Sequence, residues 1–126
     1  MAVTIELGLT GTASIVVSPE ATALAQGTGD VEVLSTHDLL KLMQQATMDA
    51  MRGHLPDKVI TAGLRVNLDH LQGAPVGDEL TATATLIRIE GRRLVFETEV
   101  VSEGGVVGRG RIIRVQVDRD HFLRRL

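Results

Sequence analysis

The segment from Thr36 to Arg52 sets the tightest limit on how this chain can fold. Turned at about 100° per residue, it gathers Lys41, Gln45, Asp49 and Arg52 into one stripe. Leu39, Leu42, Met43, Ala46 and Ala50 cover the opposite side, and Leu40, Thr47 and Met51 widen it. Only a narrow strip is polar. Ser35 or Thr36 can cap the start, Asp38 puts a negative charge near the positive end of the helix dipole, and Gly53-His54-Leu55-Pro56 stops it. A helix apolar around most of its circumference has to be enclosed, and a small domain encloses one by wrapping a sheet around it. The chain has 126 residues, the length of one domain over 1–126.

The rest of the sequence supplies such a sheet. Val3, Ile5, Leu7 and Leu9 alternate with Thr4, Glu6 and Thr10, the period of a half-buried first strand, and Ser14 to Val17 is a second extended piece. Ser18-Pro19-Glu20 opens a short helical turn through Thr22-Ala23-Leu24-Ala25. Residues 18–31 read either as a flap over a site or as a connector, and their low apolar content favours the connector. From Lys58 to His70 the chain alternates, with Ile60, Ala62, Leu64, Val66, Leu68 and His70 on one parity. Leu80 to Ile89, Arg93 to Val101 and Val106 to Val117 follow, joined by short turns containing Gly91 and Gly104-Gly105, which predicts an antiparallel meander and an α+β architecture. The charged tail from Asp118 to Leu126 is expected at the surface.

Composition removes several functions. The absence of cysteine excludes disulfide frameworks, thiol nucleophiles and cysteine zinc sites. A net charge of -3 and only two aromatic residues, Phe96 and Phe122, argue against a nucleic-acid surface. No apolar run approaches the roughly 20 residues that span a bilayer, and no signal peptide is visible, so a soluble cytoplasmic protein is expected. His37, His54, His70 and His121 show no ligand spacing, and no metal or separate cofactor is expected.

Four groups of residues are open to a functional interpretation. His70 occupies an apolar-parity position just before a Gly/Pro turn; it is either a strand-end histidine bonded to a loop carbonyl or a general base at a pocket mouth. Thr36 is either a plain cap or part of an oxyanion site using the free N–H groups of the helix start. Gln44 borders the apolar and polar helix faces, between a half-exposed role and a place on a seam with another subunit. Arg88, Arg92, Arg93, Arg109, Arg111 and Arg114 cluster on the last strands, and either hold substrate phosphates or pair across strands with Glu97 and Glu99.

The helix opening Val33-Leu34-Ser35-Thr36, with Leu42-Met43-Gln44-Gln45-Ala46, Thr61-Ala62-Gly63, His70 before Ala74-Pro75-Val76-Gly77, Ile89-Glu90-Gly91-Arg92-Arg93-Leu94, Val107-Gly108-Arg109-Gly110 and Arg114-Val115, resembles the hotdog-fold thioesterases, in particular the fluoroacetyl-coenzyme A thioesterase-like group. The resemblance runs from about Val33 to Phe122. It implies a long helix wrapped by a curved antiparallel sheet, a homodimer or tetramer, and an acyl-coenzyme A pocket between one helix and the partner subunit. The family's threonine, glutamate and histidine fall on Thr36, Gln44 and His70, and its thioester-proximal glycine on Gly63. Ser35, Arg92 and Arg93 are the further candidates for substrate contact. Gln44 departs from the pattern, because an amide is neither a carboxylate nucleophile nor a strong base. The aromatic residues linked to fluoroacetyl selectivity have no counterpart between Ala21 and Asp30, so a different small acyl group is expected. The resemblance implies hydrolysis of acyl-coenzyme A; its rivals are a non-catalytic acyl-coenzyme A binder and, last, a hotdog dehydratase or isomerase.

Overall fold

A computed structural model describes residues 4–126. Five strands form one antiparallel sheet: β1 (Thr10–Val16), β2 (Val59–His70), β3 (Glu79–Glu90), β4 (Arg93–Ser102) and β5 (Gly105–Asp118). Their spatial order is β1-β3-β4-β5-β2, so β1 and β2 are the two edges. Two short helices, α1 (Ala23–Gln26) and α3 (Arg119–Arg124), flank the long helix α2 (Thr36–Met51) in sequence. The expected meander is β3-β4-β5. Gly91, with φ 61°, takes the first central position of the β3–β4 turn, where a side chain would be strained.

Leu39, Leu42, Met43, Ala46, Ala50 and Met51 of α2 are buried against Leu80, Ala82, Ala84, Leu86, Phe96, Val100 and Ile112 of the sheet. Each fully buried Leu, Met or Phe removes enough apolar surface from water to be worth about 2 kcal/mol. The helix sits closest to β1, where Gly11 meets backbone: a Cβ there would lie 2.2 Å from the Ala50 nitrogen and 2.4 Å from the Ala46 carbonyl oxygen. The Asp49 carboxylate then accepts from the Thr12 backbone N–H at 2.9 Å, tying the same strand to the helix.

Three expectations are corrected. The first strand is Thr10–Val16, not the stretch ending at Thr10. Residues 4–9 form no strand and Leu7 is 61% exposed, while Val3 lies outside the described residues. Alternation fails there because Gly8, at φ 90°, turns the chain where it first bonds to β3, and the strand register begins at Thr10. Second, the single parity through β2 is broken by a bulge between Gly63 and Arg65. Gly63 pairs with Arg114, whereas Val66, Leu68 and His70 pair with Ile112, Gly110 and Gly108. The bulge thus puts Gly63 on the helix-facing side together with the later even-numbered residues, and Ile60 and Ala62 on the other. Third, α2 is only half enclosed. Leu40, Gln44 and Asp49 are partly exposed and Met48 is 48% exposed, because one five-stranded sheet curls around one side of the helix only.

Residues 18–31 are held by backbone hydrogen bonds to the chain entering α2. Backbone N–H groups of Ala23, Leu24 and Ser35 bond to the carbonyls of Val33, Val31 and Ala21, and buried Thr22 caps α1.

Gly11→Ala is expected to destabilise the protein by about 2–3 kcal/mol through overpacking against fixed backbone. Gly73→Ala, whose Cβ would meet only the Val33 side chain, at 3.5 Å and beyond, is the matched control and should change little. Urea denaturation compares the two.

Candidate active site

The start of α2 sorts its two hydroxyls into different jobs. Ser35 is the N-cap: its Oγ accepts from the Asp38 N–H at 3.1 Å and donates to Asp38 Oδ2 at 2.7 Å. Gln26 Nε2 also donates to that carboxylate. Ser35 is completely buried, so its side chain is committed to the cap. Thr36 is therefore not the cap. It is the first helical residue, exposed, with its hydroxyl turned to the end of β2, where Oγ1 lies 2.9 Å from His70 Nδ1.

His70 reaches that position because β2 continues its helix-facing parity to its last residue. Its other ring nitrogen, Nε2, is buried and has no hydrogen-bond partner among the described residues. Burial lowers the imidazole pKa from its ordinary value, and the nearby Gln72 backbone partly offsets this. Burial thus favours the neutral ring, the form that can act as a base. With the proton on Nε2, Nδ1 accepts from the Thr36 hydroxyl; with the proton on Nδ1, the direction reverses. Among the described residues, no carboxylate is bonded to this pair. Asp38 is held by the cap, and Asp69, next to His70 in sequence, points to the opposite face of the sheet opposite Arg109.

A second cluster lies two turns along α2. The Gln44 Oε1 accepts from Arg114 Nη1 at 2.8 Å; Arg114 Nε donates to Thr61 Oγ1 at 2.9 Å and Nη2 to the Thr61 carbonyl at 3.3 Å. Arg114 is only 7% exposed, and desolvation pulls its pKa down. A Cβ on Gly63 would stand 3.3 Å from Gln44 Oε1, so glycine keeps this cluster open. Gln44, Gly63 and Arg114 share one wall of a groove of about 940 Å³ with Leu40, Lys41 and Met48.

Thr36 and His70 do not line that groove. Thr36 and Gln44 are eight residues apart, about 12 Å along a helix, and Gly63 and His70 are seven apart, about 23 Å along a strand. One chain therefore brings the candidates together as two separate groups, Thr36 with His70 and Gln44 with Gly63. Arg92 lies on the β3–β4 turn and Arg93 opens β4, both exposed, and the Gln116 N–H bonds to the Arg92 carbonyl. Of the other arginines, Arg109 pairs with Glu99 at 2.8 Å and Arg88 with Glu90 at 3.2 Å. The sequence alone does not reveal Arg114 as the partner of Gln44, or Thr61 as the partner of Arg114. The signal was present: Arg114 shares the parity of Gly108, Gly110 and Ile112, so it is a charged residue at an inward position.

A profile of the family described as fluoroacetyl-CoA-specific thioesterase (FlK) matches residues 17–120. The structure is similar to a hot-dog-like protein from Thermanaerovibrio acidaminovorans, with 28% identity and a TM-score of 0.88 over 96% of this chain and 90% of that one. It is also similar to a thioesterase superfamily member from Thermus thermophilus, with 27% identity and a TM-score of 0.86 over 96% and 92% of the two chains. A mutant of the fluoroacetyl-CoA-specific thioesterase in complex with fluoroacetate and CoA matches at 26% identity and a TM-score of 0.83, over 94% of this chain and 99% of that one. No curated protein sequence matches the chain. The architecture is thus the α+β hotdog fold, a curled antiparallel sheet around one long helix.

The geometry around His70 has a direct spectroscopic consequence. In a ¹H–¹³C titration its ring should protonate below the ordinary histidine value of about 6.5, because burial disfavours the cation. A midpoint above that value would show that an unseen anion stabilises the charged form.

Proposed function

The chain belongs to the fluoroacetyl-CoA-specific thioesterase family, and on that footing we propose that it hydrolyses a small acyl-coenzyme A thioester to the free acid and coenzyme A. The observation that carries this proposal is the 2.9 Å contact between Thr36 Oγ1 and His70 Nδ1 at the N-terminus of α2. It sets a base beside a hydroxyl where the first turn also offers backbone N–H groups without helical partners.

In the proposed reaction His70 takes a proton from the attacking water. The Thr36 hydroxyl turns to the thioester oxygen and, with the N–H groups of the helix start, stabilises the developing oxyanion. His70 then returns the proton to the departing sulfur, so water adds across the C–S bond. Gln44 cannot exchange protons in this sequence; it orients the substrate or a water by hydrogen bonding.

The working site is proposed to be completed by a second copy. β2 is an edge strand on which Leu64 and Val66 are 48% and 37% exposed, and Met48 on α2 is 48% exposed. Gly63 and His70 lie on either side of Val66 and Asn67 on β2, so pairing two β2 edges antiparallel about a two-fold axis at that point would bring the Gly63 wall of one copy to the Thr36–His70 pair of the other. Arg92 and Arg93 are exposed cations suited to the phosphates of coenzyme A.

One observation favours a non-catalytic acyl-coenzyme A binder instead: the position of the family acid is an amide held by Arg114. A thiol-release screen over short, branched and aromatic acyl-coenzyme A esters separates the two functions. Hydrolysis should be found, with His70→Ala and Thr36→Ala each lowering kcat/KM by about 100-fold or more. Saturable binding without turnover would select the binder, and variant rates equal to the parent's would remove these residues from the mechanism.

A further inference from the structure

Arg114 is a buried cation with no anion. Its three acceptors are the Gln44 amide oxygen, the Thr61 hydroxyl and the Thr61 carbonyl, all neutral. Among the described residues it forms no ion pair with a carboxylate, whereas the exposed Arg88 and Arg109 both do. A guanidinium has five N–H donors; three are used here and two remain. Burying a charge without a counter-charge is costly, and such a group is a ready partner for an anion that arrives from outside.

The surroundings favour an anion. Although the whole chain carries a net charge of -3, the groove lined by Gln44, Gly63 and Arg114 also holds Lys41 and Arg52 against Asp49 alone. Asp49 is already paired with Arg52 at 3.1 Å, which leaves Lys41 and Arg114 as the uncompensated cations. The two differ in kind. Lys41 is exposed on the rim, where a phosphate can reach it, while Arg114 is on the buried wall beside the one residue that has no side chain. Its remaining donors suit a planar carboxylate, which accepts from a guanidinium through two oxygens at once.

We propose that Arg114 is the specificity determinant for the acyl group, and that the preferred acyl chain ends in a carboxylate, as in the monothioester of a short dicarboxylic acid. The proposal rests on the thioester-binding site described above, with the Gly63–Arg114 wall of one copy facing the Thr36–His70 pair of the other. Gln44 has a defined part in it. A glutamate at that position would occupy Arg114 with an internal carboxylate, whereas the amide holds the guanidinium in place and leaves its charge for the substrate.

The test uses binding, so that it does not depend on turnover. S-(3-carboxypropyl)-coenzyme A and S-butyl-coenzyme A are non-hydrolysable thioethers of equal carbon count, titrated into the full chain by calorimetry alongside coenzyme A itself. The carboxylate should bind more tightly by about 10- to 100-fold, the worth of a charged hydrogen bond. Arg114→Met and Gln44→Glu should each erase that preference; the second is nearly isosteric and does not depend on the first variant folding. Equal affinities in the parent, or a preference that survives Gln44→Glu, overturn the inference while leaving the thioester site standing. Equal weakening of all three ligands by Arg114→Met would assign Arg114 to the coenzyme phosphates and also overturn it. A preference lost in Lys41→Met but kept in Arg114→Met has the same effect. Failure of both thioethers to bind would remove the underlying site as well.

Discussion

The seating of α2 on the concave side of the sheet governs the rest of the molecule. Gly11 lets β1 approach the helix backbone closely, and the Leu39–Leu42–Met43–Ala46–Ala50 face is buried there. Once that face is fixed, Thr36 must emerge at one end of the sheet and Gln44 must turn toward β2. A shift in helix rotation would swing both away from their partners, because the two lie on neighbouring faces of the same rod. Packing and chemistry are coupled here: the same contact that stabilises the fold aims the hydroxyl at His70.

The helix start shows how local rules divide labour. Ser35 takes over the cap, with Asp38 as its acceptor, and this releases the next residue. Had Thr36 been the cap, its oxygen would be bonded to the helix backbone and unavailable to His70. At the other end of the pair, burial disfavours the charged imidazole. The bulge after Gly63 performs a similar service on β2. Without it, Gly63 and His70 would point to opposite faces, since they are an odd number of residues apart.

Much of this was legible in the chain itself. The period of α2, the stop at Gly53, the three-strand meander and His70 at an apolar position are local patterns that tertiary structure preserved. What was hidden required knowledge of pairing. Leu64 obeys the alternation of its strand by hydrophobicity, yet it is the extra residue of a bulge, and a one-residue insertion leaves no trace in composition. The apparent strand through Ile5 and Leu7 failed because alternation says nothing about whether a partner strand is available. The half-bare face of α2 reads as enclosed because Leu40 widens its apolar side. An apolar residue exposed in one chain and covered in an assembly has the same letter as one in the core. Arg114 was visible as an arginine on an inward parity, but its partner is 70 residues away in sequence.

The central claim is that the Thr36–His70 pair and the Gly63–Gln44–Arg114 wall work together only across two copies of the chain. Mixing two inactive variants tests it, one carrying His70→Ala and the other Gly63→Val, a side chain that would crowd Gln44. If each site draws its halves from different copies, both lesions fall in one site of the mixed dimer and the other is intact. Unfolding and refolding an equal mixture should then recover about a quarter of the parental thiol-release rate. A mixture no more active than its inactive components would contradict the account.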